Sequence, residues 1–252
     1  MDAIGERRDP LSGVRETHEA PRDVAPDRDA LDGTDAAHRP EVAGCIARRL
    51  GVTARRLGVT DYLDTWRAMQ AFTESRDGST PDELWLTAHP PVYTLGVAGR
   101  DAHLPRDDAG IPVVRTDRGG QITYHGPGQI VVYTLVDLKR AGLTVRALVR
   151  QLEDAVVDVL ADRGVTAQGD VDRPGVYVDG AKIAALGLKV RRGCSYHGLS
   201  FNADLDLAPF AAIDPCGYPG LAVTTARRLG ITDSLETLAD ALLDRLAVRL
   251  SR

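Results

Sequence analysis

Cys216 stands between Pro215 and Gly217 in the stretch "IDPCGYPG". Proline fixes one backbone angle and glycine frees another, so the sequence predicts a rigid turn that could present a sulfur atom. The nucleophilic form of a thiol is its thiolate, and a nearby cation lowers the pKa from its ordinary value of about 8.5. Of 31 lysines and arginines only three are lysines, Lys139, Lys182 and Lys189. An ammonium can release its proton where a guanidinium cannot, so a lysine in an arginine-rich chain is a candidate for proton transfer. A lysine beside a cysteine is a nucleophile with its base. Taken alone, Cys216 also fits a small buried side chain, the ordinary place of a free cysteine.

The second candidate is "TDRGGQITYHGPGQIVVYTLVDL", residues 116–138. Arg118-Gly119-Gly120 and His125-Gly126-Pro127-Gly128 put four glycines in a short span. Such a backbone can approach a ligand closely and offer it N–H groups. The spacing is not that of a P-loop or a dinucleotide fingerprint, so it does not point to a phosphate. Tight turns use the same composition, and His125 fits a structural histidine as well as a functional one.

Elements must hold these residues in place. Asp61 can cap a helix whose apolar side includes Tyr62, Trp66 and Met69, ending at the Asp77-Gly78 turn. "LWLTAHPPVYTLG" predicts a strand, a break at Pro90-Pro91 and a second extended piece. A strand is expected over 129–138, then a helix over about 144–163 with Leu148, Leu152, Val156 and Leu160 on one face, stopped by Gly164. "GVYVDGAKIAALGLKVRRG" predicts a hairpin turning at Asp179-Gly180. "CSYHGLSFNADL" adds a strand, and a helix over about 234–250 carries Leu235, Leu238, Leu242 and Leu246. Strands in the middle with helices around them predict an α+β fold with a mixed, mostly antiparallel sheet.

Residues 1–44 hold no aromatic side chain and many charges, and they contain Pro10, Pro21, Pro26 and Pro40. They cannot bury enough apolar surface to offset ordering entropy, so a disordered extension is expected, followed by one catalytic domain over 45–252. The formal charge of -5 gives no basic field for nucleic acid. Three cysteines without close pairing, no long apolar run and no secretory signal lead us to expect a cytoplasmic protein with free thiols and no membrane association. No metal site is expected, and Cys45 and Cys194 are expected to be structural.

In order along the chain, "HPPVYTLG", "RGGQITYHGPGQIVVY", "GAKIAALGLKV", "RGCSYHGLSFN" and "IDPCGYPG" resemble the lipoyl(octanoyl) transferase family over about 59–225. That resemblance implies the α+β fold shared with biotin and lipoate ligases. It also implies transfer of an octanoyl group, without a cofactor, from octanoyl-acyl carrier protein to a lysine of a lipoyl domain through a cysteine thioester. The acceptors it implies are the lipoyl domains of 2-oxoacid dehydrogenase acyltransferase subunits and the glycine cleavage H protein. Residue by residue, the family's nucleophile falls on Cys216 and its lysine on Lys182. The acyl-binding segments fall on Arg118, Gly119, Gly120, Gln121, Ile122, Thr123, Tyr124 and His125, on Ala185, Leu186 and Gly187, and on Gly198, Leu199 and Ser200. Ser200-Phe201 stands where the family has a smaller, alanine-like step. Three other readings stay open: an ATP-dependent lipoate or biotin ligase, a non-catalytic acyl-binding module, and a thioesterase.

Overall fold

A computed structural model of the chain describes residues 47–49, 51–217 and 220–251, with 47–49 and Cys216 described through their backbone. The tail expected over 1–44, with Cys45, lies outside the described residues. The chain runs β1 (Ala47–Arg49), β2 (Val52–Val59), α1 (Tyr62–Ser75), β3 (Asp82–Ala88), β4 (Val92–Leu95), β5 (Val113–Arg115), β6 (Ile122–His125) and β7 (Gln129–Leu135). It continues with α2 (Val145–Ala161), β8 (Gln168–Gly169), β9 (Gly175–Val178), β10 (Ala181–Arg191), β11 (Cys194–Asn202) and α3 (Leu235–Leu250). Eight strands form one sheet in the order β1-β2-β3-β7-β11-β10-β9-β8, and β5-β4-β6 form a second. Pairing is antiparallel except for β2 with β3 and β4 with β5. The expected α+β fold with a mostly antiparallel sheet is the one observed.

Side-chain alternation along β7 explains the layering. Ile130 and Val132 enter a core with Leu148, Leu152 and Val156 of α2 and Leu242 and Leu246 of α3. Val131, Tyr133 and Leu135 enter a core on the opposite face with Met69 of α1. With both faces covered, β7 is buried throughout, which is why it reads as a continuous apolar run. Tyr93, Leu95, Ile122 and Tyr124 form a third, smaller core around the second sheet.

Local signals place the helices. Asp61, Thr144 and Ser234 are the N-caps of α1, α2 and α3, each accepting from backbone N–H groups of the first turn. Asp179 and Gly180 both have positive φ, 48° and 80°, as a two-residue hairpin requires. Three expectations need correction. Residues 52–59 form a strand that the sequence pattern did not reveal, since Arg55 and Arg56 interrupt its apolar run; Arg55 is held by the buried Glu83 at 2.6 and 2.7 Å. Within the glycine-rich stretch, 122–125 is strand β6 and not loop, because it pairs with β4. The strand expected over 129–138 ends at Leu135. Beyond it, backbone bonds from Ser195 N to Val136 O and from Leu138 N to Gly193 O continue the contact, and the Ser195 hydroxyl joins them, accepting from Val136 N at 3.2 Å and donating to Thr134 O at 2.8 Å.

Candidate active site

Lys182 is the second residue of β10, and only 3% of it is exposed. A register shift between Lys182 and Ala184 marks a bulge there. The backbone of Lys182 also bonds a segment from outside the sheet: its N–H donates to Ala222 O at 2.8 Å and its carbonyl accepts from Thr224 N at 3.0 Å. Those residues follow closely on the turn Pro215–Gly217 that contains Cys216. Hydrogen bonding thus ties Lys182 to the chain leaving the cysteine turn. The lysine Nζ donates to Pro174 O at 3.3 Å and lies 5.2 Å from the centre of the Tyr177 ring. Gly175 makes room for it, because a Cβ there would lie 2.9 Å from Lys182 Cε. Glu153 of α2 fixes that glycine by accepting from its N–H at 2.9 Å.

Two adjoining cavities meet at this place. Lys182, Pro215, Asn202 and Phe210 line one of them. Thr123, Ala185 and Ser200 are shared with the other, which continues between β6, β10 and β11 past Ile122, Leu186, Gly187, Gly198 and Leu199 to Tyr62, Tyr133 and His197. Gly217, with φ 71°, lies against the Gln121 side chain, which lines the longer cavity. Cys216 therefore sits in the chain between Pro215, which lines the cavity that Lys182 lines, and Gly217, which lies against the wall of the longer one. Gly198 belongs to the wall for a steric reason: a Cβ would fall 2.0 Å from Val132 O.

Arg118 is buried and ties the glycine-rich segment to β4. Its Nε donates to Thr94 Oγ1 at 3.0 Å, while its terminal nitrogens bond the carbonyls of Thr94, Gly119 and Gln121. Gly119 donates to Leu188 O at 2.9 Å, closing the segment onto β10. Of the residues singled out from the sequence, Gly119 and Tyr124 do not line the cavity. Strand alternation sends Tyr124 the other way, onto Tyr93 and Phe210. Tyr62 and Tyr133, which do line it, read in the sequence as core positions, and Asp117 reads as one more surface charge. Asp117 instead receives Trp66 Nε1 and His197 Nε2, both at 2.9 Å, and the Tyr196 hydroxyl. Burial opposes its ionisation, yet those bonds hold its carboxyl well below the usual range.

His89 and His125 belong to buried hydrogen-bonded chains, and burial lowers the pKa of both. His89 Nδ1 donates to Thr60 O at 2.7 Å, so its Nε2 accepts from the Tyr133 hydroxyl at 2.6 Å. Gln129 donates through its nitrogen to Asn202 Oδ1, which leaves its oxygen to accept from His125 Nδ1 at 2.7 Å. Burial, with His89 nearby, pushes the His125 pKa down to about 3 from 6.5. Between those values the unfolded chain binds a proton that the folded ring refuses, so stability falls as pH falls through this window. The thermal unfolding midpoint should therefore drop between pH 6.5 and about pH 4, and less steeply for His125→Gln. Identical pH slopes for the two proteins would remove His125 from the account.

The fold and the glycine-walled cavity define a class of protein: residues 61–247 match the family described as the lipoyl protein ligase A/B catalytic domain. Lipoate-protein ligase A bound with ATP superposes with a TM-score of 0.62 at 18% identity, covering 79% of this chain and 84% of that one. A bi-partite lipoate protein ligase from Thermoplasma acidophilum does so with a TM-score of 0.60 at 16% identity, covering 78% and 83%. At these identities the likeness shows the fold. Sequence relatives are nearer. An octanoyltransferase of Nitrosospira multiformis is 60% identical over 202 residues, 80% of this chain and 94% of the relative. Another, from Nitrosomonas europaea, is 60% identical over 191 residues, 76% and 93%. The chain belongs to the octanoyltransferases of this family.

Proposed function

We propose that the protein transfers an octanoyl group from octanoyl-acyl carrier protein to a lysine of a lipoyl domain, in two steps through a thioester on Cys216. The observation that carries this reading is a buried lysine lining one cavity together with Pro215 of the Pro215–Gly217 turn, where that cavity adjoins a longer one. In the first step Lys182 takes the thiol proton and the thiolate attacks the donor carbonyl. The bond to the carrier sulfur then breaks, and the proton passes to the departing thiolate. In the second step Lys182 takes a proton from the acceptor ammonium, and the amine displaces Cys216, which leaves as thiolate and is reprotonated. Thioester exchange conserves bond energy, so no ATP is consumed. Gly217 N already donates to Asp214 O at 2.9 Å, so oxyanion donors are sought among other backbone N–H groups at the turn or in the segment after His125.

In this reading the acceptors are lipoyl domains of 2-oxoacid dehydrogenase acyltransferase subunits and of the glycine cleavage H protein. Residues 45–252 make up the catalytic unit, working in the cytoplasm. No helix among the described residues is long and apolar enough to cross a membrane. A decisive experiment is intact-mass measurement after incubation with octanoyl-acyl carrier protein alone. One octanoyl mass should appear, labile to hydroxylamine and lost on adding acceptor. Acylated acceptor with no enzyme adduct at any time would sink the two-step reading.

Gly175 gives a test of the lysine's placement. An alanine methyl would fall 2.8 Å from Ala184 O and 2.9 Å from Lys182 Cε, so either strand or lysine must move. Gly175→Ala should slow octanoyl transfer by about 10- to 100-fold, the scale of an ångström's misplacement, with the circular dichroism spectrum preserved. Unchanged transfer would mean that the position of the ammonium is not critical.

A further inference from the structure

The longer cavity runs away from the cysteine turn along β10 and β11. Ala185 and Ser200, paired across the two strands, are shared with the cavity that Lys182 lines. Gly187 and Gly198, also paired, lie further along, and His197 follows. Ser200 and His197 are three residue steps apart along the strand, about 10 Å, the reach of an extended eight-carbon chain. His197 thus stands where the far end of such a chain would come to rest, and Tyr62 lines the same cavity.

Two polar atoms of this cavity's wall are unsatisfied. Arg118 and His125, which also line it, are hydrogen-bonded within the protein, but His197 Nδ1 and the Tyr62 hydroxyl are both buried atoms without a hydrogen-bond partner. His197 is 1% exposed and Tyr62 3%. The Thr116 hydroxyl, which interacts with that of Tyr62, is a third buried atom without a hydrogen bond of normal geometry. By contrast the Tyr133 hydroxyl, in the same wall, is satisfied by His89. Buried polar atoms left without partners are unfavourable, and interiors seldom keep them without a use.

Their chemistry defines what would complete them. His197 Nε2 donates to the Asp117 carboxylate, which leaves Nδ1 as a lone-pair acceptor. Burial lowers the His197 pKa, so the ring stays neutral, and burial pushes the Tyr62 hydroxyl up to about 12, so it keeps its proton to donate. His197 also has φ 60° inside a strand, a costly conformation for a residue with a Cβ, of the kind that clusters at functional sites. One acceptor and one donor in the wall of the same cavity match a neutral hydroxyl, which can give its proton to the imidazole and accept from the phenol. A terminal carboxylate would face the imidazole lone pair, and an ammonium would be stripped of water.

We propose that the far end of the acyl cavity is a hydrogen-bonding subsite for a hydroxyl at the end of a medium-length acyl chain, formed by His197 Nδ1 and the Tyr62 and Thr116 hydroxyls. This rests on the reading of the cavity as an acyl site and adds a substrate class to it: ω-hydroxyacyl groups are accepted beside plain ones.

The test is equilibrium binding of free 8-hydroxyoctanoate and octanoate by calorimetry, using the full chain, Tyr62→Phe and Thr116→Val, each checked for folding by circular dichroism. The wild-type protein should bind 8-hydroxyoctanoate at least as tightly as octanoate. Tyr62→Phe should move the ratio of the two affinities about 10-fold toward octanoate, as expected for one lost buried hydrogen bond, and Thr116→Val should move it in the same direction. A wild-type protein that prefers octanoate 10-fold or more, or a ratio unmoved in both variants, overturns the subsite. Because the ratio is read from binding, failure of octanoyl transfer in separate assays would overturn the two-step reaction and leave this result standing.

Discussion

Cys216→Ala lowers octanoyl transfer by roughly 1,000-fold or more, the scale of losing a nucleophile, and leaves no acyl adduct on the protein. The expectation follows from where the turn sits. Pro215 lines the cavity that Lys182 lines, and Gly217 packs on Gln121 in the wall of the longer one. Both neighbours of Cys216 therefore stand at the walls of the two adjoining cavities. Cys216→Ser separates the nucleophile from its shape. A hydroxyl is far less acidic than a thiol, so a lysine able to deprotonate cysteine leaves serine largely protonated. The serine variant should acylate very slowly, and any ester that forms should resist neutral hydroxylamine better than the thioester does. Binding of the donor carrier protein should persist in both variants, since neither removes a wall of the cavity. Full activity in Cys216→Ala would show direct transfer from donor to acceptor.

The pieces legible in the sequence were those written in short-range chemistry. Caps at Asp61, Thr144 and Ser234 act within one turn of their own helices, and the Asp179-Gly180 hairpin depends on two residues. Strand β2 was hidden because its evidence is distant: parallel pairing with β3 and a buried Glu83 that answers Arg55. The glycine-rich stretch concealed β6 for the same reason, its partner β4 lying beyond a long connection. In the site, Lys182 and Cys216 stood out by rarity and by turn chemistry. Asp117 did not, because the three donors that converge on it come from α1 and β11. Tyr62 and Tyr133 carry their polar ends on rings that any pattern assigns to the core.

Lys182→Arg keeps the charge and removes the proton transfer, and it should lower octanoyl transfer by at least about 100-fold. The geometry sharpens this expectation. Lys182 is buried, its Nζ donates to Pro174 O, and its Cε comes within 2.9 Å of the place where a Cβ on Gly175 would stand. Gly175 leaves room beside it for a slender stem, and a planar guanidinium needs more width. A guanidinium also stays protonated, so it can favour the Cys216 thiolate by charge but cannot accept a proton from an incoming ammonium. The two half-reactions should consequently diverge. Acylation of Cys216 by octanoyl-acyl carrier protein should be slowed less than transfer from the thioester to the acceptor lysine, and the acyl-enzyme should accumulate. Single-turnover rates for each half-reaction, taken at several pH values, measure the difference. In the variant, the second step should rise with pH as more of the acceptor amine becomes neutral in solution. Equal slowing of both steps would mean that Lys182 acts through position or charge, and near wild-type rates in both would transfer the role of base to another residue.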